Sequence, residues 1–151
     1  MSRAYSKIMK VASFLGFVLL VLAVMVLVLE KSILAHGLIG IAIQILAALL
    51  MIWARFTLGS RSFHATAGPT EGGLVTSGPY RFIRHPIYAA IFYFIWTAVL
   101  SYFSWETLLI GIVATFAIGL RIWSEERLLV ERYPEYVAYS ARTKRIIPFL
   151  I

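Results

Sequence analysis

The chain has 151 residues, 61% of them hydrophobic and only 14% charged, against about 25% charge in an ordinary soluble domain. That excludes a soluble domain and leaves no expectation of a nucleic-acid partner, although 14 Lys and Arg face 7 acidic residues for a net charge of +7; in an integral membrane protein such charge gathers where the chain leaves the lipid. Neither Cys nor Asn occurs, which removes thiolate nucleophiles, disulfides, thiol metal sites and N-glycosylation.

The first element is the uncharged run Val11 to Leu29, whose residues give about 28 Å of helix against a hydrocarbon core of roughly 30 Å. Arg3, Lys7 and Lys10 precede it like the basic start of a signal peptide. The run is nevertheless longer than an h-region of about 7 to 15 residues, and Glu30-Lys31 follows where a small-residue cleavage site would stand. A second span is expected over 32–54, where Gly37, Gly40, Ala47 and Ala48 offer small surfaces for helix approach. The third, 86–105, carries Tyr88, Tyr93, Trp96, Tyr102 and Trp105, the last two placed for an interfacial belt. The fourth is expected over 107–123. Only Thr107 to Leu120 separate Glu106 from Arg121, about 21 Å of helix, so the helix should run on to about Arg132. Arg121 and Glu125 then lie at membrane-surface depth, where ionisable groups are functional candidates.

Thirteen of the 14 basic residues fall on one side of this arrangement and only Lys31 on the other, which by the positive-inside rule predicts cytoplasmic termini. The expected fold is therefore an all-α integral membrane protein of about four transmembrane helices, with 1–151 a single domain. Two cytoplasmic segments remain, 55–85 and 121–151. Each is too short to build its own core, so they must fold together against the helix ends.

The first segment is dense in turn formers, Gly68-Pro69, Gly72-Gly73 and Ser77-Gly78-Pro79, and its glycines let backbone approach a ligand closely. His85-Pro86 opens the third span, where first-turn N–H groups and the helix dipole attract an anion. In the second segment Arg121 and Glu125 share one helix face at i and i+4, with Glu126 about 100° away. Blander roles stand beside these: a surface ion pair worth well under 1 kcal/mol for Arg121 and Glu125, a helix cap for His85, an interfacial anchor for Tyr88. No G-x-G-x-x-G or G-x-x-x-x-G-K occurs, and His36, His64 and His85 show no metal spacing. A Rossmann domain is excluded and no metal site is expected.

The stretch Leu74-Val75-Thr76-Ser77-Gly78-Pro79-Tyr80-Arg81-Phe82-Ile83-Arg84-His85-Pro86-Ile87-Tyr88, followed by Arg121-Ile122-Trp123-Ser124-Glu125-Glu126, resembles the isoprenylcysteine carboxyl methyltransferase family. The tail, Tyr136 to Tyr139, Arg142-Thr143 and Ile147-Pro148-Phe149, fits the same pattern. The resemblance covers about half the chain, with its blocks in the expected order. It implies membership of a broader group that includes phospholipid N-methyltransferases and small bacterial methyltransferases, all using S-adenosylmethionine, with S-adenosylhomocysteine as product, without a Rossmann fold. By the same resemblance Gly72, Gly73, Leu74, Val75 and Tyr80 contact the cofactor; His85, Pro86, Ile87 and Tyr88 line the same pocket; Glu125 completes it; and Arg121 binds the methyl acceptor. The chain departs from the eukaryotic carboxyl methyltransferases in having fewer spans and in carrying Gly72-Gly73 in place of bulkier polar residues.

The chemistry of the side chains agrees. His85 with nearby N–H groups suits the cofactor carboxylate, Glu125 its ammonium, and Tyr80 or Tyr88 its adenine or sulfonium. Arg121 is able to bind an acceptor carboxylate bidentately, and an amine acceptor would need a proton sink, for which Glu126 is the nearby carboxylate. The acceptor is expected to be a lipophilic or small membrane-permeant molecule bearing a carboxylate, thiol or amine. The competing class is a non-catalytic membrane protein or lapsed homologue whose basic face holds anionic membrane lipid or a partner, at about 1 kcal/mol per basic residue. Such a face needs cations but no particular Glu or His.

Overall fold

The computed structural model describes residues 3–59 and 73–147. Among them are five α-helices: α1 (Arg3–Leu29), α2 (Leu38–Leu58), α3 (Pro86–Ser101), α4 (Trp105–Arg132) and α5 (Tyr136–Arg142), with a short 3₁₀ turn at Gly78–Arg81 before α3. No strand element occurs among the described residues, and the all-α membrane architecture stands. In space the helices do not follow chain order: α1 packs on α4, α4 on α3, and α3 on α2.

α1 ends where its apolar run ends. Lys31 takes a left-handed conformation (φ 53), its N–H donates to the Val28 carbonyl, and Ser32 N–H donates to the Leu27 carbonyl, the paired bonds of a Schellman cap. Because Ser32 is used in that cap, α2 begins at Leu38 rather than at Ser32 as expected. Residues 33–35 are instead held by Gln44, whose side-chain oxygen accepts from Ala35 N–H at 2.9 Å and whose amide donates to the Ile33 carbonyl at 2.9 Å. α2 runs on to Leu58, past the expected end at Ala54. Of the small residues on this segment, Gly40 packs against Ala35 and Ala47 is buried, whereas Gly37 serves a positive-φ turn and Ala48 is exposed.

α1, α2 and α4 are each long and apolar enough to cross a membrane; α3, with 16 residues, is a shorter apolar helix of about 24 Å. The third expected span, 86–105, thus ends four residues early, at Ser101. α3 is flanked by both α2 and α4. The turn after Ser101 is closed by a capping box in which Ser104 and Thr107 each accept from the other's backbone N–H. α4 then continues to Arg132, as the short spacing between Glu106 and Arg121 predicted.

The shared core is built from Leu20, Ala23 and Leu27 of α1, Ile95 and Val99 of α3, and Ala114, Ala117, Ile118 and Ile122 of α4. Outward-facing Leu15, Leu22, Leu46 and Leu49 remain exposed on α1 and α2, where lipid is as apolar as they are. The start of α1 meets the end of α4 through Met9 and Leu128, and the end of α2 meets the 3₁₀ turn through Thr57 and Gly78. The basic ends of the helices thus converge on one end of the bundle.

Candidate active site

The loop that enters this end is shaped by glycine and proline. Gly73 and Gly78 have positive φ (85 and 56), and a Cβ on Gly78 would stand 2.6 Å from Thr57 Oγ1, so only glycine lets the loop seat on α2. Pro79 is fully buried behind it. The C-terminal segment then lies across the loop: Ile83 and Lys144 form a parallel bridge, Arg84 N–H donates to the Lys144 carbonyl at 2.7 Å and His85 N–H to the Arg145 carbonyl at 3.1 Å. Tyr139 of α5 donates its hydroxyl to the Tyr80 carbonyl at 2.6 Å. The two polar segments fold together, as their lengths required.

Glu126 is the hub of this junction. Its carboxylate accepts from Arg84 Nε at 2.7 Å, from Arg145 Nη2 at 3.0 Å and lies 3.3 Å from His85 Nε2. Arg84 also donates to the carbonyls of Ser140 and Thr143, so one guanidinium ties the loop, α4 and the tail. The Glu126 hydrogen bonds raise the pKa of the Arg145 guanidinium above its ordinary value, and its positive charge is secure. A carboxylate so enclosed is engaged rather than waiting for a proton, which runs against its expected part as a proton sink for an amine.

Glu125 stands differently. Its side chain is 31% exposed and lies 4.0 Å from His85 Nδ1. The His85 ring, flanked by both carboxylates, tilts against Tyr88 with centroids 5.7 Å apart. That position does not favour a third carboxylate, so the expected pairing of His85 with a ligand carboxylate is not what the geometry offers. Tyr80, only 7% exposed, has a buried hydroxyl with no hydrogen-bond partner among the described residues. Burial, and next the charge of Glu125, push its pKa up, keeping it a protonated donor.

Arg121 is buried at 6% exposure, which rules out a surface ion pair. Its Nε donates to the Tyr88 hydroxyl at 3.1 Å and its Nη1 to the Ser13 carbonyl at 3.0 Å. The guanidinium centre lies 5.4 Å from the Phe17 ring and 5.6 Å from the Tyr88 ring.

Tyr80, His85, Tyr88, Arg121 and Glu125 are therefore brought together, with Pro86 buried and Ile87 half-buried at the same helix start. Leu74 and Val75 are half-buried and Gly73 exposed; Gly72 lies outside the described residues. Sequence reasoning missed Arg84, Arg145 and Tyr136, although Arg84 stood inside the quoted block. It also missed Ser13, Gly16 and Phe17, whose signal was a small-residue pair and an aromatic at i, i+3 and i+4 on one face of α1.

The sequence model of the phospholipid methyltransferase family matches residues 35–136. The chain belongs to that family. It falls within the isoprenylcysteine and phospholipid group of integral membrane methyltransferases that the motif blocks indicated. The chain is also similar to the cobalt-zinc-cadmium resistance protein CzcN of Cupriavidus metallidurans, 28% identical over 119 residues, which are 76% of this chain and 48% of that protein. It thus spans about half the length of this curated relative. No solved structure matches significantly. Among the described residues, no group of three or more His, Asp or Glu side chains is placed to hold a metal ion.

Proposed function

We propose that the protein transfers a methyl group from S-adenosylmethionine to a lipophilic or small membrane-permeant acceptor, at the end of the bundle where the loop, α4 and α5 meet. The observation that carries the reading is the partly exposed Glu125 carboxylate, 4.0 Å from His85 and one helical turn from the buried Arg121, together with a buried Tyr80 hydroxyl that has no partner among the described residues. These groups fit the cofactor: a carboxylate for its ammonium, a hydroxyl donor and aromatic rings for its nucleoside and sulfonium. When bound, S-adenosylmethionine supplies a methyl group on a sulfonium that is already a good leaving system.

The chain's own residues then bind, orient and exclude water. Glu125 holds the ammonium by a charge-assisted hydrogen bond. Since His85 is flanked by two carboxylates, the ligand carboxylate falls to backbone N–H groups of the Gly73 to Val75 loop and the first turn of α3. Pro86, Ile87 and Tyr88 line the pocket. Arg121, one turn deeper on the face of Glu125, holds the polar head of the acceptor. With Glu126 engaged by Arg84, Arg145 and His85, its role is positioning. The site then suits an acceptor that needs no strong base, a carboxylate or thiolate, better than an amine.

The basic residues gathered at this end support cytoplasmic termini and a cytoplasmic cofactor entrance. Calorimetry in detergent with S-adenosylmethionine and S-adenosylhomocysteine, beside tritiated methyl transfer into lipid, protein and volatile fractions, tests the reading. Absence of binding heat and of any thermal shift at millimolar ligand in folded protein would leave the non-catalytic alternative.

A further inference from the structure

The family match begins at residue 35, so α1 lies outside it, yet α1 supplies much of the surroundings of Arg121. Ser13, fully buried, gives its carbonyl to Arg121 Nη1 at 3.0 Å. A Cβ on Gly16 would stand 2.9 Å from both the Ala117 carbonyl oxygen and Arg121 Cγ, so glycine at this position is what lets the Arg121 stem lie against α1. Phe17 sets its ring 5.4 Å from the guanidinium centre. Phe17 is 36% exposed while Arg121 is 6% exposed, so the phenyl ring reaches from the cation to the outer, lipid-facing surface of the bundle.

We infer that α1 forms the acceptor wall of the site and that Phe17 determines which molecules reach Arg121 from the lipid. The inference rests on the reading of Arg121 as the acceptor's partner, and it names the acceptor class further: an amphiphile whose anionic head meets the guanidinium while its apolar tail lies along α1. The ring sheds no hydrogen bond when it moves, whereas Ser13 and Tyr88 keep the guanidinium in place. Glu125 lies one turn further along α4 than Arg121, and Tyr80 stands on the separate 3₁₀ turn.

The test uses the full chain in lipid nanodiscs with phenylglyoxal, a neutral apolar reagent that condenses with guanidinium groups, and peptide mass mapping of each arginine. Phe17→Ala is expected to raise the modification rate at Arg121 at least fivefold and Phe17→Trp to lower it at least threefold. The exposed Arg127 and Arg132 provide internal references with unchanged rates. S-adenosylhomocysteine affinity should stay within threefold in both variants. Phe17→Leu serves as the second truncation if the alanine variant does not fold, with a smaller rise expected. An Arg121 rate indifferent to these changes overturns the inference, as does a tenfold loss of S-adenosylhomocysteine affinity on changing Phe17. The labelling needs no catalysis, so a wild-type protein that binds no cofactor would defeat the methyltransferase reading while still reporting on Phe17.

Discussion

Gln44 and Tyr80 are both nearly buried polar side chains, 5% and 7% exposed, one at each end of the helix bundle. Gln44 is fully engaged with backbone: it accepts from Ala35 N–H and donates to the carbonyls of Ile33 and Phe94. Ser32, Ser104 and Thr107, at the same end, are likewise bonded to neighbouring backbone. At the opposite end the hydroxyls of Tyr80 and Tyr136 have no partner among the described residues. Leaving a buried polar group unpaired costs about 1 to 3 kcal/mol. Among the described residues, then, one end is satisfied while the other leaves two buried hydroxyls unpaired, at the end where the methyl-transfer site is proposed.

The sharpest test of this division is Arg121→Lys, which keeps the charge but loses the planar fork that reaches both Ser13 and Tyr88. Turnover is expected to fall about 100-fold, some 2.7 kcal/mol of transition-state stabilisation. Cofactor affinity should remain within about threefold. Methyl transfer measured beside calorimetry decides it, and a parallel loss of cofactor binding would move Arg121 to the cofactor side.

Next in size is the contrast between the adjacent glutamates. Glu125→Gln is expected to weaken cofactor binding by a factor of roughly 10 to 150, the loss of one charge-assisted bond of about 1.5 to 3 kcal/mol. Glu126→Gln should weaken it less and instead lower the melting temperature, because Arg84 and Arg145 lose their counterion. Equal affinity losses would erase the distinction between a ligand-facing and a fold-facing carboxylate.

What was legible in the sequence follows the same line. The end of the first helix, Leu29 before Glu30-Lys31, was readable because ionisable groups act locally, whereas the Ser104 cap fell inside the expected third span. The start of α2 was not readable either, since residues 32–37 are as uncharged as the helix after them, and what holds them is a side chain at position 44. Likewise Tyr80, His85, Tyr88, Arg121 and Glu125 were readable as motif blocks. The Arg84, Glu126 and Arg145 network and the Ser13 contact to Arg121 join segments distant in the chain, which spacing does not reveal.

At the satisfied end, Gln44→Leu is expected to lower stability by about 1 to 3 kcal/mol, since Ala35 N–H and two carbonyls lose their partner in a buried site. Thermal unfolding in detergent would register it. Cofactor affinity should not change, and a matching loss of affinity would mean that the two ends are not separable.

The smallest expected effect tests the principle most directly. Tyr80→Phe removes a hydroxyl that has no partner among the described residues, so stability should hold or rise by up to about 1 kcal/mol as the penalty for an unpaired buried group is relieved. If the hydroxyl serves a ligand, the same change should weaken S-adenosylhomocysteine binding about fivefold, near 1 kcal/mol, one neutral hydrogen bond. Stability and affinity then move in opposite directions, which neither a packing defect nor a purely structural tyrosine produces. Tyr136→Phe is the companion: its hydroxyl is equally unpartnered among the described residues, but it lies on α5, where burial and next the charge of Glu126 push its pKa up. It should share the neutral or favourable effect on stability with a smaller change in affinity. If Tyr80→Phe destabilised the fold and left binding untouched, the hydroxyl would be satisfied within the protein after all, and the contrast between the two ends would fail at its central residue.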